Sequence, residues 1–332
     1  MKIKKTLKIL LITLIIFLGL GFILSRGHIY KTDELRYGLT FSKMQAENLG
    51  LDWRAVYLDI LDDLQVKDLR LSAYWNEVEP QKNAYNWSDL DWQLEQARVS
   101  GADVILAVGG RLPRWPECHF PAWAADLSAD SREQEILEYI RDTVLRYHGE
   151  ENIAAWQVEN EPFLSHFGDC PEFKAAFLDK EIALVRSLDD RPIVITDSGE
   201  ISVWIPAARR ADIFGTTMYR DTYSQVLNRY VHYPIGPGFF RFKKNLAGLF
   251  ARPQKWIVIE LQAEPWGPIP YQEMPKSERD RTMNLEKFRE ILEFSRQAGF
   301  REFYLWGAEW WYWEREKNND PEMWEEARGL FR

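Results

Sequence analysis

Histidine and cysteine are scarce in this chain: 332 residues include five His and two Cys. No two histidines form an H-x-H or H-x-x-H pair, and the cysteines, Cys118 and Cys170, lack metal-ligand spacing. A metal-dependent hydrolase is therefore disfavoured. An excess of basic charge is also missing, since the formal net charge is −9. That argues against nucleic acid as a partner, because phosphate binding needs a basic face. There is no low-complexity segment and no sharp linker after residue 28. A Gly-rich phosphate loop is absent as well: Val108-Gly109-Gly110-Arg111 is not G-x-G-x-x-G, which weakens a doubly wound nucleotide-binding sheet.

Long apolar runs are confined to one place. Lys2, Lys4, Lys5 and Lys8 precede an uncharged run, Ile9 to Leu24, followed by Ser25-Arg26-Gly27. The run is near the short end of what spans a bilayer, about 17–25 residues. It ends in Gly21-Phe22-Ile23-Leu24-Ser25, with no A-x-A cleavage site, which favours an uncleaved signal anchor over a cleaved signal peptide. The positive-inside rule leaves the lysines in the cytoplasm and puts the rest across the membrane. The expected organisation is a stub and transmembrane helix over 1–27 and an extracytoplasmic domain over 28–332, anchored in the membrane or, after cleavage, secreted.

What remains is rich in apolar residues, 46% of the chain, with fifteen Trp. Most of these aromatics belong to a core, and some can serve as flat platforms. Short apolar runs alternate with helical patterns. The strand candidates are Tyr37–Phe41, Asp68–Ser72, Val104–Val108, Ile153–Val158, Ile193–Thr196, Ile213–Met218, Trp256–Ile259 and Phe303–Trp306. Runs of this kind suit a parallel sheet buried on both faces. Helical patterns follow at Trp53–Leu64, Trp87–Arg98 with Ser88 as N-cap, Ser131–Tyr147 with Ser131 and Gln134 as a capping box, Cys170–Ser187, Tyr223–Val231, Thr282–Ala298 with Gly299 as C-cap, and Pro321–Phe331. Eight alternations predict an α/β fold of the (β/α)8 TIM-barrel type, for which about 250 residues is typical.

In such a barrel chemistry gathers at the C-terminal strand ends. Those ends supply Arg70 and Tyr74-Trp75 (second strand), Asn160-Glu161-Pro162 (fourth), Tyr219 (sixth), Glu260 (seventh) and Trp306 (eighth). Pro162 has no amide hydrogen and stops the fourth strand. Each residue has a bland reading: a rim ion pair for either Glu, a counter-ion in Arg70, a turn residue in Asn160, packing for Tyr219, a plug in Trp306. Jointly, two glutamates facing across a barrel mouth are the equipment for cleaving a glycosidic bond.

The set resembles the glycoside hydrolase clan A barrels, most closely family 5 and its relatives, over residues 37–331. Asn160-Glu161-Pro162 matches the clan's fourth-strand motif, and Ile257-Val258-Ile259-Glu260 its seventh-strand glutamate. Leu69-Arg70-Leu71, Tyr219 and Trp306 resemble the second-strand Arg, sixth-strand Tyr and eighth-strand Trp. Two family 5 histidines are replaced, by Val108-Gly109-Gly110-Arg111 after the third strand and by Thr217 before Tyr219. Tyr74-Trp75-Asn76-Glu77-Val78-Glu79-Pro80 resembles instead the second-strand loop of β-galactosidase-type and xylanase-type members.

The resemblance implies a retaining O-glycoside hydrolase acting on β-linked glycosides or polysaccharides, with Glu161 as acid/base and Glu260 as nucleophile. Arg70, Trp75, Asn160, Tyr219 and Trp306 would bind substrate, Asn160 at the sugar 2-hydroxyl. This chemistry requires no cofactor and no metal. A catalytically inactive, surface-anchored carbohydrate-binding barrel is the alternative. The loop Gly109–His119 would lie at the same rim, with Arg111, Arg114 and Trp115 either binding substrate or packing the loop. Cys118 on that loop and Cys170 beyond Glu161 would both lie at the barrel top, where a disulfide would tie the rim loops.

Overall fold

The computed structural model describes residues 19–164, 167–172 and 174–331. Eight parallel strands close into a barrel: β1 Arg36–Thr40, β2 Asp68–Ser72, β3 Asp103–Val108, β4 Ile153–Val158, β5 Ile193–Asp197, β6 Ile213–Met218, β7 Lys255–Gln262 and β8 Glu302–Trp306. Each strand pairs with its chain neighbours, and β8 closes on β1 with Arg36 opposite Glu302 and Thr40 opposite Trp306. The strands alternate between two apolar environments. Ile105, Ala155, Val194, Ile257, Ile259 and Tyr304 fill the barrel interior as one cluster, while Leu69, Leu71, Val104, Leu106, Trp156, Phe214 and Val258 join the larger cluster under the helices. Period-two alternation with both faces buried is why these runs read as nearly continuous apolar sequence.

Glu260 does not end its strand: β7 runs two residues past it. The pairing of β6 with β7 slips between Thr216 opposite Val258 and Thr217 opposite Glu260, so Ile259 is an extra residue. A bulge of this kind breaks the alternation and re-aims a side chain. Here Ile259 fills the barrel interior and Glu260, the next residue, also turns inward, onto Arg70.

Other boundaries differ for local reasons. The segment Tyr223–Val231 is not helical but a hairpin, Asp221–Ser224 against Arg229–His232, with Tyr223 packed edge-on against Tyr230 across the pair. Its Tyr, Val and Arg content suits a strand pair, and left-handed Asn228 (φ 47°) supports the turn. Ser88 is the first helical residue, not the cap of Ser88–Ser100; its amide and hydroxyl both bond to Asn86 Oδ1. Ser128, rather than Ser131, caps Ala129–Tyr147, and Gln134 bonds forward to Glu138. The helices Pro237–Gly248 and Ala308–Asn318 complete the ring after the hairpin and after β8.

Residues 19–24 are helical. Among the described residues no helix is long and apolar enough to cross a membrane. The greater part of the run Ile9–Leu24 lies outside the described residues. Beyond it, Arg241 and Asn245 of Pro237–Gly248 hold the Leu24, Ser25 and Arg26 carbonyls.

Candidate active site

Arg70, wholly buried, sits at the centre of the C-terminal mouth of the barrel. Its three guanidinium nitrogens each serve a different residue, one on β7 and two on β4 and the turn after it. Nη1 donates to Glu260 Oε1 at 2.8 Å, Nε to Gln157 Oε1 at 2.8 Å and Nη2 to Asn160 Oδ1 at 2.7 Å. The rigid fork of an arginine suits such fixed, charge-assisted contacts. Tyr219 completes the surroundings of Glu260, its hydroxyl donating to Oε2 at 3.1 Å. Both Glu260 oxygens are thus held by donors, one of them cationic. Gln157 was not evident as a site residue in the sequence; its place on the inward face of β4 is the signal that could have found it.

The turn after β4 aims the Asn160-Glu161 pair. Glu159 and Glu161 both take left-handed backbone, φ 59° and 44°, on either side of Asn160. Such conformations cost about 1–3 kcal/mol each and persist only where the surroundings impose them. Here the Glu161 amide donates to Thr196 Oγ1 on β5 at 2.8 Å, and Thr196 Oγ1 bonds in turn to Asn160 Oδ1 at 3.2 Å. Glu161 is 5% exposed, and among the described residues its Oε1 meets no hydrogen-bond partner. Burial raises its pKa well above the ordinary carboxylate value. Repulsion from Glu260, Glu117 and Asp197 adds to the rise, and Arg111 opposes it.

The loop after β3 brings further groups that the strand-end list missed. Glu117 is buried, and its Oε2 accepts from Asn160 Nδ2 at 3.1 Å. Burial pushes it up to about 8, against the attraction of Arg111 and with the repulsion of Glu260. Arg111 donates to the Leu164 and Phe167 carbonyls at 3.0 and 2.9 Å, tying this loop to the segment after Glu161. Cys118 and Cys170 are joined by a disulfide, with Cα atoms 5.3 Å apart. Arg114, in left-handed backbone (φ 82°), reaches over the mouth to Glu264 and, at 2.9 Å, to Glu309 Oε2. It covers the indole of Trp306, whose Nε1 donates to Glu264 Oε1 at 2.8 Å. Trp266 meets Tyr219 edge-on at 5.3 Å, whereas Trp115 is 67% exposed.

The structure therefore gathers Arg70, Asn160, Glu161, Tyr219, Glu260 and Trp306 at one mouth. Trp75 is not among them. It is wholly buried beneath the loops, stacked on Tyr139 and edge-on to Phe120 and Trp123, with Nε1 donating to Glu79. Following the strand-end Tyr74 in sequence did not bring it to the mouth, because the short helix Trp75–Val78 turns it into the core. Among the described residues no group of His, Cys, Asp and Glu is placed to hold a metal ion.

Comparison with known proteins agrees with the fold. No family model matches the chain. A curated endo-1,4-beta-xylanase 3 from Hypocrea jecorina is 31% identical over 93 residues, 28% of this chain and 25% of that protein, so the chain spans about a quarter of this relative's length. Among solved structures, a glycosylated endo-beta-1,4-xylanase of glycoside hydrolase family 10 from Gloeophyllum trabeum aligns over 90% of this chain and 96% of its own, with TM-score 0.59 at 14% identity. An exo-beta-1,4-mannosidase from Opitutaceae bacterium strain TAV5 aligns over 82% of this chain and 51% of its own, with TM-score 0.56 at 16% identity. A GH5_18 protein from Streptomyces cattleya, solved with GlcNAc, aligns over 82% and 70%, with TM-score 0.55 at 16% identity. At these identities the likeness shows the fold alone, a closed (β/α)8 barrel.

Proposed function

We propose that this barrel is a retaining β-glycoside hydrolase. The observation that carries the reading is the contrast between its two facing glutamates. Glu260 is gripped by Arg70 and Tyr219, donors that favour a carboxylate. Among the described residues one Glu161 oxygen has no partner, and burial and then Glu260 raise its pKa well above the ordinary carboxylate value, which favours the protonated form a general acid needs. Glu260 attacks the anomeric carbon while Glu161 gives its proton to the departing oxygen. A water then loses a proton to Glu161 and breaks the glycosyl–Glu260 ester, restoring both groups. In this scheme Asn160, held by Arg70 and Thr196, would meet the sugar 2-hydroxyl once Glu117 yields its amide. The xylan, mannoside and GlcNAc chemistry named for the relatives points to β-linked hexoses or pentoses as the substrate class.

A second reading, an inactive sugar-binding barrel, is favoured by Arg114, which covers Trp306, and by the low exposure of Glu161 and Glu260, 5% and 4%. Turnover of aryl β-glycosides and β-linked polysaccharides by wild type, Glu161→Ala and Glu260→Ala separates the two. The hydrolase reading expects losses of roughly 10²-fold or more in both variants, with azide restoring Glu260→Ala through an inverted glycosyl azide. Wild-type rates in both variants would sink it, and sugar binding without turnover in wild type would select the second reading.

We also infer that Ile9–Leu24 anchors the chain and that the barrel is extracytoplasmic. The lysines before the run and the Cys118–Cys170 disulfide, which suits an oxidising compartment, support this. Carbonate extraction of membranes, with intact mass of the mature chain, tests it; a soluble, shortened chain selects secretion instead.

A further inference from the structure

Behind the candidate acid/base lies a second pair of carboxyl groups that the hydrolysis scheme does not use. Glu159, on the turn after β4, and Glu181, on the helix Ala175–Leu188, are both wholly buried. Glu159 uses both oxygens on backbone amides of the loop after β3: Gly110 donates to Oε1 at 2.7 Å and Arg111 to Oε2 at 2.6 Å. The fit leaves no room at Gly109, where a Cβ would collide with the Glu159 carboxyl and where φ is 134°. Among the described residues no donor reaches either oxygen of Glu181. Two buried carboxyl groups that act on each other, one of them with no donor among the described residues, favour a shared proton.

We propose that Glu159 and Glu181 form a proton-sharing pair that positions the loop after β3 against the Asn160-Glu161 corner. The pair acts through other groups, as a positioning device. Glu159 holds Gly110 and Arg111; Arg111 holds the Leu164 and Phe167 carbonyls; the same loop carries Glu117 onto Asn160 and Arg114 onto Trp306. Burial lifts Glu159 to about 7, opposed by Glu181, by the two amides and by Arg111. Burial and then repulsion from Glu159 lift Glu181 well above its ordinary value. The other groups facing the pair are Glu133, which raises Glu181 further, and Tyr139, which faces Glu159, both on Ala129–Tyr147. Glu133 is itself 3.8 Å from Lys180. Arg111 is the cation that acts on Glu159, so losing the shared proton leaves two buried charges that repel each other. Their repulsion is relieved by withdrawing Glu159 from Glu181, and the loop amides move with it.

The sign follows. A carboxyl that keeps its proton in the folded chain beyond the usual unfolded value near 4.5 makes stability fall as pH rises from that value to the folded pKa. Glu181→Gln keeps the shape, donates an amide proton to Glu159 and removes one titration. The test compares the full-length wild type and Glu181→Gln by hydrogen exchange of the Gly110–Arg111 backbone and by melting temperature from pH 5 to 9. The expected result at pH 8.5 is exchange severalfold faster in wild type than in the variant. The wild-type melting temperature falls with pH more steeply than that of the variant, and the alkaline limb of kcat/KM moves upward in Glu181→Gln. Glu181→Met, similar in volume and also uncharged, gives the same flattened melting curve if Glu181→Gln folds poorly. Equal exchange and parallel melting curves in wild type and the folded variant overturn the proposal. Its catalytic consequence rests on the hydrolase reading, but exchange and melting do not. Wild type without turnover, together with the expected exchange difference, would sink that reading and leave the pair standing.

Discussion

Arg114 lies over the indole of Trp306, its guanidinium carbon 4.1 Å from the ring centroid, and both side chains donate to the same oxygen, Glu264 Oε1. Glu309 holds the other end of the guanidinium, and its Oε1 accepts the Ser42 amide at 2.6 Å. One cation thus links the loop after β3 to the segment after β7 and to the helix Ala308–Asn318. Replacing it strands two buried carboxylates. Arg114→Met is expected to cost about 3–5 kcal/mol in urea unfolding, the usual loss when one partner of a buried pair is removed. A cost below about 1 kcal/mol, typical of an exposed ion pair, would show that the cluster is open to water.

Under the hydrolase reading, Arg70 bears on catalysis rather than on the cap. Arg70→Met leaves Glu260 with Tyr219 alone and frees Gln157 and Asn160 together. Under the hydrolase reading kcat falls by roughly 10²-fold or more, as for loss of a preorganised electrostatic contact. Wild-type kcat in the folded variant would remove Arg70 from the support of the nucleophile.

Glu117 contributes a pH dependence of its own. Its carboxyl is lifted to about 8 by burial, above the ordinary value near 4.5. The folded chain holds this proton where the unfolded chain has lost it, so this residue's contribution to stability falls as pH rises from about 4.5 to about 8, at about 1.4 kcal/mol per pH unit. Glu117→Gln removes that slope while keeping an acceptor for Asn160 Nδ2. Chemical denaturation at pH 5, 6.5 and 8 checks it: the variant is expected to gain on wild type as pH rises, and a constant difference would contradict a raised Glu117.

The barrel was legible in the sequence because buried parallel strands announce themselves as short apolar runs, and all eight runs lie within the observed strands or within a residue of them. The pairing of Arg70, Asn160, Glu161, Tyr219 and Glu260 at one mouth was legible because strand ends converge in a closed barrel. The bulge at Ile259 was not, since Ile257-Val258-Ile259 reads the same with or without an extra residue. Glu117, Glu159 and Glu181 were missed for a related reason. They sit on a loop, a turn and a helix, where no strand period marks the inward face, and only the folded chain buries them together. The hairpin Asp221–Ser224 and Arg229–His232 was mistaken for a helix because its apolar spacing fits either period over so short a stretch.

Trp75 illustrates the opposite error, proximity in sequence without proximity in the site. Its ring packs among Tyr139, Phe120 and Trp123, and its Nε1 meets Glu79 at 2.8 Å. Trp75→Phe keeps an aromatic ring but leaves a void and an unpartnered Glu79 oxygen. The expected loss is about 1–3 kcal/mol of stability, with kcat and KM unaltered in the folded variant. A raised KM with unaltered stability would return Trp75 to the substrate site.

The disulfide provides the final prediction, because it joins two loops that the mouth depends on. Cys118 follows Glu117 directly, and Cys170 lies beyond the segment whose Leu164 and Phe167 carbonyls bind Arg111. The bridge closes a sequence separation of 52 residues. On loop entropy alone that restrains the unfolded chain by about 4 kcal/mol. Denatured, unreduced protein should contain no free thiol, and the double replacement Cys118→Ser with Cys170→Ser should lower unfolding stability by about 2–4 kcal/mol. The native hydrogen bonds of Arg111, Glu117 and Glu159 do not involve sulfur, so the loop keeps its seat in the folded variant. kcat should therefore hold while thermal inactivation quickens. A collapse of kcat in a variant that still folds would mean that the covalent bond, and not the polar contacts, holds Glu117 and Arg114 over the mouth.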